Sequence, residues 1–205
     1  GMAPYALAAC ADLGDVPVNP IDVAETCTRI EAFHAALAEA GIGLVYGGGN
    51  VGLMGTVAGA VLAHGGHVTG IIPDFLKSRE RMLDEIQETI VVEDMHTRKR
   101  LMFERSDAFV ALPGGIGTLE ELVEQLTWAQ LGQHNKPILL LSVADFWTPL
   151  LTLLDHMRGQ GFIREGLDLS YLVATEAADV VGLLRDAAGS VPPAPAAEAL
   201  VAERF

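Results

Sequence analysis

"DAFVALPGGIGTLEELVEQL", residues 107–126, joins three local signals in one stretch. Its first residues, 107–115, form a short apolar run of the kind found in a buried strand. Three glycines follow within four positions, at Gly114, Gly115 and Gly117, and then a helical pattern of apolar residues begins, expected over 118–131. Strand, glycine turn and helix in that order are the repeating unit of a parallel α/β fold.

The same alternation extends in both directions. Apolar runs at 5–11 ("YALAACA"), 43–48 ("GLVYGG"), 67–73 ("HVTGIIP"), 136–142 ("KPILLLS") and 171–175 ("YLVAT") read as further buried strands. Helical patterns lie between them at 20–40, 51–64, 95–105, 146–160 and 177–188, several closed by glycine, as at Gly41, Gly65 and Gly132. Parallel strands with right-handed crossovers place helices on both sheet faces. The expected fold is therefore a Rossmann-like three-layer α/β sandwich, a single domain over 1–190. The Pro/Ala-rich tail, residues 191–205, is expected to be an extension outside it. In such sheets a ligand binds beyond the carboxyl ends of the strands, where strand order reverses.

Composition narrows the function. The chain has 205 residues and a formal net charge of −14, which disfavours a nucleic-acid polymer or an anionic membrane as partner. The cations are unevenly placed: Lys77, Arg79, Arg81, Arg98, Lys99, Arg100 and Arg105 are seven of the thirteen Lys and Arg residues. Such a patch suits a small anionic ligand, and equally a helix with solvated arginines. Two cysteines, Cys10 and Cys27, have no motif spacing, so neither a disulfide framework nor a zinc site is indicated. The first residues lack the charged start and long apolar core of a signal peptide, and no apolar run reaches membrane-span length. A reduced cytoplasmic location is expected.

Two glycine loops are candidates for ligand contact. "YGGGNVGLMGT" carries G-x-G-x-x-G at Gly47, Gly49 and Gly52, after a strand and at the start of a helix. It follows the second strand, and "AHGGHVTGI" occupies the region where an acid would hold a dinucleotide ribose, so a nicotinamide dehydrogenase is disfavoured. No lysine follows the glycines, which disfavours a P-loop. Backbone N–H groups at a helix start still attract an anion. In the second loop, Thr118 and Glu121 form T-x-x-E, a capping box in which Thr118 caps the helix and Glu121 reaches back, worth about 1 kcal/mol. A cap does not account for three adjacent glycines, which lose conformational entropy on folding and make more sense with a ligand lying against them.

The third element is "EDMHTRKR", 93–100, which opens a helix inside the basic patch. Arg98 offers a forked donor for phosphate and Lys99 a point charge. His96 reads as a packing or capping residue. His64 and His67 lack a third partner at metal-ligand spacing, so no metal site is expected.

"VYGGGNVGLMG", "DMHTRK" and "PGGIGTLEE" followed by "TWAQLG" resemble the LONELY GUY family of cytokinin-activating phosphoribohydrolases, often labelled "possible lysine decarboxylase". The signature P-G-G-x-G-T-x-x-E falls on Pro113, Gly114, Gly115, Gly117, Thr118 and Glu121, and the likeness runs over about 42–165. The resemblance implies an enzyme that hydrolyses the N-glycosidic bond of a nucleoside 5'-monophosphate, a cytokinin ribotide or AMP. It implies a homodimer, or in some members a hexamer, and no cofactor. Its catalytic arginine and glutamate fall on Arg98 and Glu121. Its substrate-binding positions fall on Glu80, Lys99, Gly114, Gly115, Gly117, Thr118, Glu120 and Thr127, to which the glycine-loop residues Gly48 and Gly49 are added. A carboxylate beside the sugar stabilises the oxocarbenium-like cation of glycosidic cleavage or orients hydroxyls or water. Arg98 then holds the phosphate or assists departure of the base. One departure stands out: the family's C-G-S-type first turn is replaced by "ACADLGDVP", with Ala11 and Asp12 at the glycine and serine positions.

The label "lysine decarboxylase" does not suit the chain. A pyridoxal-phosphate enzyme needs a Schiff-base lysine, and Lys77, Lys99 and Lys136 are the three available, none in a convincing cofactor loop. The alternative to the hydrolase is a nucleotide- or cofactor-binding carrier or sensor of the same fold without turnover. The presence of both Arg98 and Glu121 favours the enzyme, since a pure binder has little need of that pair.

Overall fold

The computed structural model describes residues 5–9, 23–50, 53–77, 83, 85–163 and 169–190. Glu80, Ala11, Asp12, Gly52 and the tail 191–205 lie outside the described residues.

In chain order the elements are β1 (Tyr5–Ala9), α1 (Val23–Glu39), β2 (Gly43–Tyr46), α2 (Leu53–Ala63), β3 (Val68–Pro73), α3 (Asp74–Lys77) and β4 (Glu88–Val92). Then follow α4 (Met95–Arg105), β5 (Ala108–Ala111), α5 (Ile116–Gln130), β6 (Ile138–Leu141), α6 (Thr148–Gly159), β7 (Leu172–Ala174) and α7 (Ala177–Ser190). Of the apolar runs, β2, β3, β5 and β6 are buried along their whole length, as parallel strands covered by helices on both faces are. The strands make one seven-stranded sheet in the order β4-β3-β2-β1-β5-β6-β7, every pair parallel.

Period-two alternation divides the core between the two faces. Leu44, Tyr46, Val110, Leu139 and Leu141 face one cluster with Phe33, Leu37, Val57, Val61 and Leu184 of α1, α2 and α7. Val45, Phe109, Ala111, Ile138 and Leu140 face the other, with Met102, Leu122 and Leu126 of α4 and α5. This is the expected three-layer Rossmann-like sandwich. The glycines expected to close helices do so in the left-handed region: Gly41 at φ +69°, Gly65 at +74° and Gly132 at +73°.

One strand and one short α-helix have no counterpart in the expected pattern. Strand β4, "ETIVV", reads as polar at its start because it is the outer strand. Four of its five residues keep some exposure, and only Val92 is fully buried. The four-residue α3 is too short for a periodic signal.

Strand order reverses beside β1. The chain proceeds outward through β2, β3 and β4, then crosses back to place β5 on the other side of β1, with Ala9 paired to Ala111 at the strand ends. The turn of Gly114 and Gly115 therefore leaves the sheet at its switch point, where α/β sheets bind ligands.

Candidate active site

Helix α4 supplies the cation. Asp94 caps it, its carboxylate accepting from the Thr97 backbone N–H at 2.7 Å, which holds that carboxyl below its ordinary value. One turn on, Arg98 points inward and is only 8% exposed. Its guanidinium reaches back to β2, donating from Nη2 to the Gly47 carbonyl at 3.4 Å, while Nη1 contacts Met95 Sδ at 3.8 Å. Arg98 Nε has no hydrogen-bond partner among the described residues. A buried guanidinium with a spare donor is a group for which native structures usually supply an acceptor.

Gly47 exists as glycine for this arginine. A β-carbon there would collide with Arg98 Nη2. The glycine loop after β2 thus seats a side chain from α4 as well as turning the backbone. Gly48 and Gly49 are buried next to it, Gly48 at φ +84°.

Helix α5 supplies the carboxylate. It begins at Ile116, two residues earlier than expected, with Gly115 at the N-cap and no side-chain cap. The capping box is therefore corrected. Thr118 lies inside the first turn, buried, and its hydroxyl has no partner among the described residues. Glu121 stands a turn further in, out of reach of the N-cap amide. The shift arises because glycine itself serves at an N-cap, so the helix starts as soon as the strand-to-helix turn allows. Gly114 must be small because a β-carbon there would meet the Thr118 side chain.

Glu121 is partly buried. Its carboxyl is pushed above its ordinary value by burial, with the positive charge of Arg98 opposing. The neighbouring charges of Glu120 and Glu124 raise it and that of Lys99 lowers it. Lys99 is spent within the protein: its Nζ donates to Glu120 Oε1 at 2.6 Å and to Glu124 Oε1 at 2.9 Å, tying α4 to α5. Burial works against the ammonium, yet these two bonds leave Lys99 above its ordinary value. Glu120, with a side chain 54% exposed, is accordingly paired with Lys99. Glu124, absent from the expected site, joins the group and keeps Oε2 buried and unpartnered among the described residues. Its sequence signal was the E-x-x-x-E spacing, one helical turn after Glu120.

The structure thus brings Arg98, Lys99, Glu120, Glu121 and Glu124 together from two helices, with Gly114, Gly115, Gly117 and Thr118 at the start of one of them. Thr127 is set apart, exposed about three turns along α5, its hydroxyl donating to the Val123 carbonyl at 2.7 Å. His96 is exposed and does not provide the cap, which is Asp94. His64 is exposed, its ring Nδ1 2.8 Å from the Ala60 carbonyl. Among the described residues, no group of three His, Cys, Asp or Glu side chains gathers as a metal site. An apolar groove of about 390 Å³ runs from Gly114, Gly115 and Ile116 across Leu119 to Phe146 and Trp147. This volume lies within the range of small-molecule sites.

Fold and site together define a Rossmann-like α/β protein with a buried arginine and a desolvated carboxylate at the switch point of its sheet. The chain belongs to the family described as "Possible lysine decarboxylase", whose model matches residues 54–184, and to its LONELY GUY branch. It is similar to the cytokinin riboside 5'-monophosphate phosphoribohydrolase of Rhodococcoides fascians, 44% identical over 156 residues, which are 76% of this chain and 79% of that protein. It is 54% identical over 123 residues to the probable cytokinin riboside 5'-monophosphate phosphoribohydrolase LOGL2 of Oryza sativa subsp. japonica. That match takes in 60% of this chain and half the length of the rice protein. Among solved structures, the Moco carrier protein of Chlamydomonas reinhardtii shares the fold, with a TM-score of 0.64 at 19% identity over 93% of this chain and 100% of that one.

The pyridoxal phosphate that the word "decarboxylase" implies does not fit. Lys99 is held by two carboxylates. Lys136 donates to the Phe103 carbonyl at 2.7 Å and lies 4.0 Å from the centre of its ring. Lys77 ends the short α3 on the surface. None is a free amine facing a cofactor cleft. Among the described residues no helix is long and apolar enough to cross a membrane.

Proposed function

We propose that this protein hydrolyses the N-glycosidic bond of a nucleoside 5'-monophosphate, a cytokinin ribotide or AMP, to the free base and ribose 5-phosphate, with Arg98 and Glu121 as the catalytic pair. The observation that carries the reading is the facing of a buried guanidinium with a spare donor and a carboxylate raised by burial, at the sheet's switch point. A simple anion carrier needs the cation alone. A carboxylate beside a bound phosphate opposes binding, and it has a use where positive charge develops or where sugar hydroxyls or a water need an acceptor.

In glycosidic cleavage the C1'–N bond breaks as water forms a bond to C1', and the base takes up a proton. The ring passes through an oxocarbenium-like state, which the Glu121 carboxylate stabilises while orienting the sugar hydroxyls or the water. Arg98 Nε–H and its fork bind the anionic side of the substrate or assist the departing base. The Gly114–Gly117 turn and Thr118 hydroxyl line the phosphate side, Gly48 and Gly49 border it, and the Lys99–Glu120 pair closes the sugar side. Glu80 and Thr127 are further contacts carried over from the family. No cofactor enters this scheme. The net charge of −14 supports a small-molecule substrate over a nucleic-acid polymer. Exposed Ile116, Val123 and Leu131 along α5 support the homodimer carried over from the family, and a cytoplasmic location completes the reading.

Incubation with AMP and with isopentenyladenosine monophosphate, followed by assay for free base, tests the proposal. Release of base with Arg98→Ala and Glu121→Gln inactive supports it. No release from any nucleoside monophosphate overturns it and leaves the carrier reading.

A further inference from the structure

Lys99 of α4 reaches two carboxylates of α5 with one ammonium. Its Nζ donates to Glu120 Oε1 at 2.6 Å and to Glu124 Oε1 at 2.9 Å. Glu120 and Glu124 stand one helical turn apart, at the i, i+4 spacing that puts both on one face, but their surroundings differ. The Glu120 side chain is 54% exposed and that of Glu124 22%. Glu124 Oε2 is closed to solvent and has no hydrogen-bond partner among the described residues. An exposed ion pair is screened by water and yields readily, whereas a shielded carboxylate that loses its cation is left as an uncompensated charge. Burial rather than bond length therefore decides which carboxylate Lys99 can leave, and the one it can leave is Glu120.

Lys99 follows Arg98 directly, and Glu124 comes three residues after Glu121. The bond between Lys99 and Glu124 thus ties α4 to α5 beside the catalytic pair of the proposed hydrolase. An ammonium carries three donors, so Lys99 can keep Glu124 and still offer N–H groups to a ligand once Glu120 turns away.

We infer that Glu124 is a positioning residue that acts through Lys99: it keeps the ammonium docked on α5, so that Glu120 can leave Lys99 and accept from the sugar hydroxyls of a bound ribose 5-phosphate unit. The free protein holds Glu120 closed on Lys99. Binding exchanges that exposed bond for bonds to the hydroxyls. The shielded bond to Glu124 persists and holds the spacing of α4 and α5 at Arg98 and Glu121. The inference rests on the proposed function for the ligand that Glu120 meets, and on geometry alone for the anchor.

The test uses the full-length protein, with ribose 5-phosphate as the probe. An ammonium held in a shielded hydrogen bond exchanges its protons slowly with water, which nitrogen-detected NMR of Lys99 reads. Without ligand, the Lys99 signal is expected to survive in Glu120→Gln and to be lost to exchange in Glu124→Gln. When ribose 5-phosphate is added to the unaltered protein, the Glu120 carboxyl signal should move in carbon-detected spectra while the Lys99 signal stays. In turnover of AMP, Glu120→Gln should raise KM about tenfold with kcat held, the size of one lost hydrogen bond to a ligand. Glu124→Gln should instead lower kcat about tenfold with KM held, because it displaces the catalytic pair and removes no ligand contact. Glu124→Asp, which returns the charge on a shorter arm, should recover part of that kcat.

Loss of the Lys99 signal in Glu120→Gln overturns the inference, since Glu120 is then the anchor, and so does its retention in Glu124→Gln or its absence from the unaltered protein. A Glu120 carboxyl that ribose 5-phosphate leaves unmoved overturns it as well. Should Glu124→Gln not fold, Glu120→Gln and the unaltered protein decide on the same readings. Absence of turnover in the unaltered protein counts against the proposed hydrolase and leaves the NMR readings intact.

Discussion

The Arg98 guanidinium lies where a β-carbon on residue 47 would stand, and it donates to the Gly47 carbonyl at 3.4 Å. A glycine in the loop after β2 is thus matched to an arginine fifty-one positions later.

The first prediction tests that match. In Gly47→Ala the new methyl group forces the guanidinium out of its seat. Base release should fall at least a hundredfold, because a shift of about 1 Å in a catalytic group costs that much. Stability should drop by about 1–3 kcal/mol, the cost of overpacking a tight site. Assay of base release and thermal unfolding of the variant check both; normal turnover in Gly47→Ala would remove Arg98 from the site.

Glu121→Gln separates catalysis from capping. Since Glu121 stands beyond the first turn and makes no cap, its replacement should abolish turnover without lowering the melting temperature at pH 7–8. The sign follows from linkage. The folded-state value of Glu121 is raised by burial, so the native protein binds this proton more tightly than the unfolded chain does. Stability therefore falls as pH rises from the ordinary carboxylate value to the raised one, and the penalty remains above it. Gln carries no such penalty, so the variant should melt higher than the unaltered protein at pH 8 and equal to it near pH 4. A lower melting temperature at pH 8 would restore a structural role.

The pH–rate profile gives a third check. Stabilisation of a sugar cation requires ionised Glu121, so kcat/KM should rise with pH through an apparent pKa above the ordinary carboxylate value of about 4.3. In Glu121→Asp the limb should survive with reduced height. A profile flat down to pH 4 would exclude Glu121 as the ionising group.

Lys99→Met leaves Glu120 and Glu124 without their shared cation, and Glu124 is already partly buried with one unpartnered oxygen. Expected are a loss of about 1–3 kcal/mol of stability and an upward move of the acid limb, since Lys99 helps to hold Glu121 down. Titration of kcat/KM and denaturant unfolding measure the two effects.

Thr118→Val contrasts the cap with the ligand contact. A capping threonine would lose about 1 kcal/mol on losing its hydroxyl. Here the buried hydroxyl has no partner among the described residues, so stability should hold or rise slightly while KM for the nucleotide increases. Unfolding and steady-state kinetics on the same variant read both quantities.

Much of the fold was legible because doubly buried strands read as continuous apolar runs and their helices end in glycine. All six expected strands and the helices between them are present. Strand β4 was hidden by its half-exposed edge position, where Glu88 and Thr89 break the apolar run. The helix start at Ile116 was displaced by a competing local rule: T-x-x-E at Thr118 imitates a capping box, but Gly115 takes the N-cap first. Residue types and motif spacing singled out Arg98 and Glu121. They did not reveal that Lys99 and Glu120 hold each other, nor that Glu124 joins them, because ion pairs between α4 and α5 depend on the angle at which two helices lie on one sheet.

The amino-acid sequence by itself determined the alternation of strand and helix, the parallel sheet and the position of the glycine turns, since these follow from local periodicity and from backbone freedom at glycine. Tertiary structure alone decided which charges face each other and which are desolvated. Distances between α4, α5 and the loop after β2 are set by how the layers pack, and packing removes water from Arg98, Glu121 and Gln125 to different degrees. Gln125 shows the division most plainly: along the chain it is one polar residue on an apolar helix stripe, and in the folded protein its Oε1 is buried without a partner among the described residues, one helical turn from Glu121.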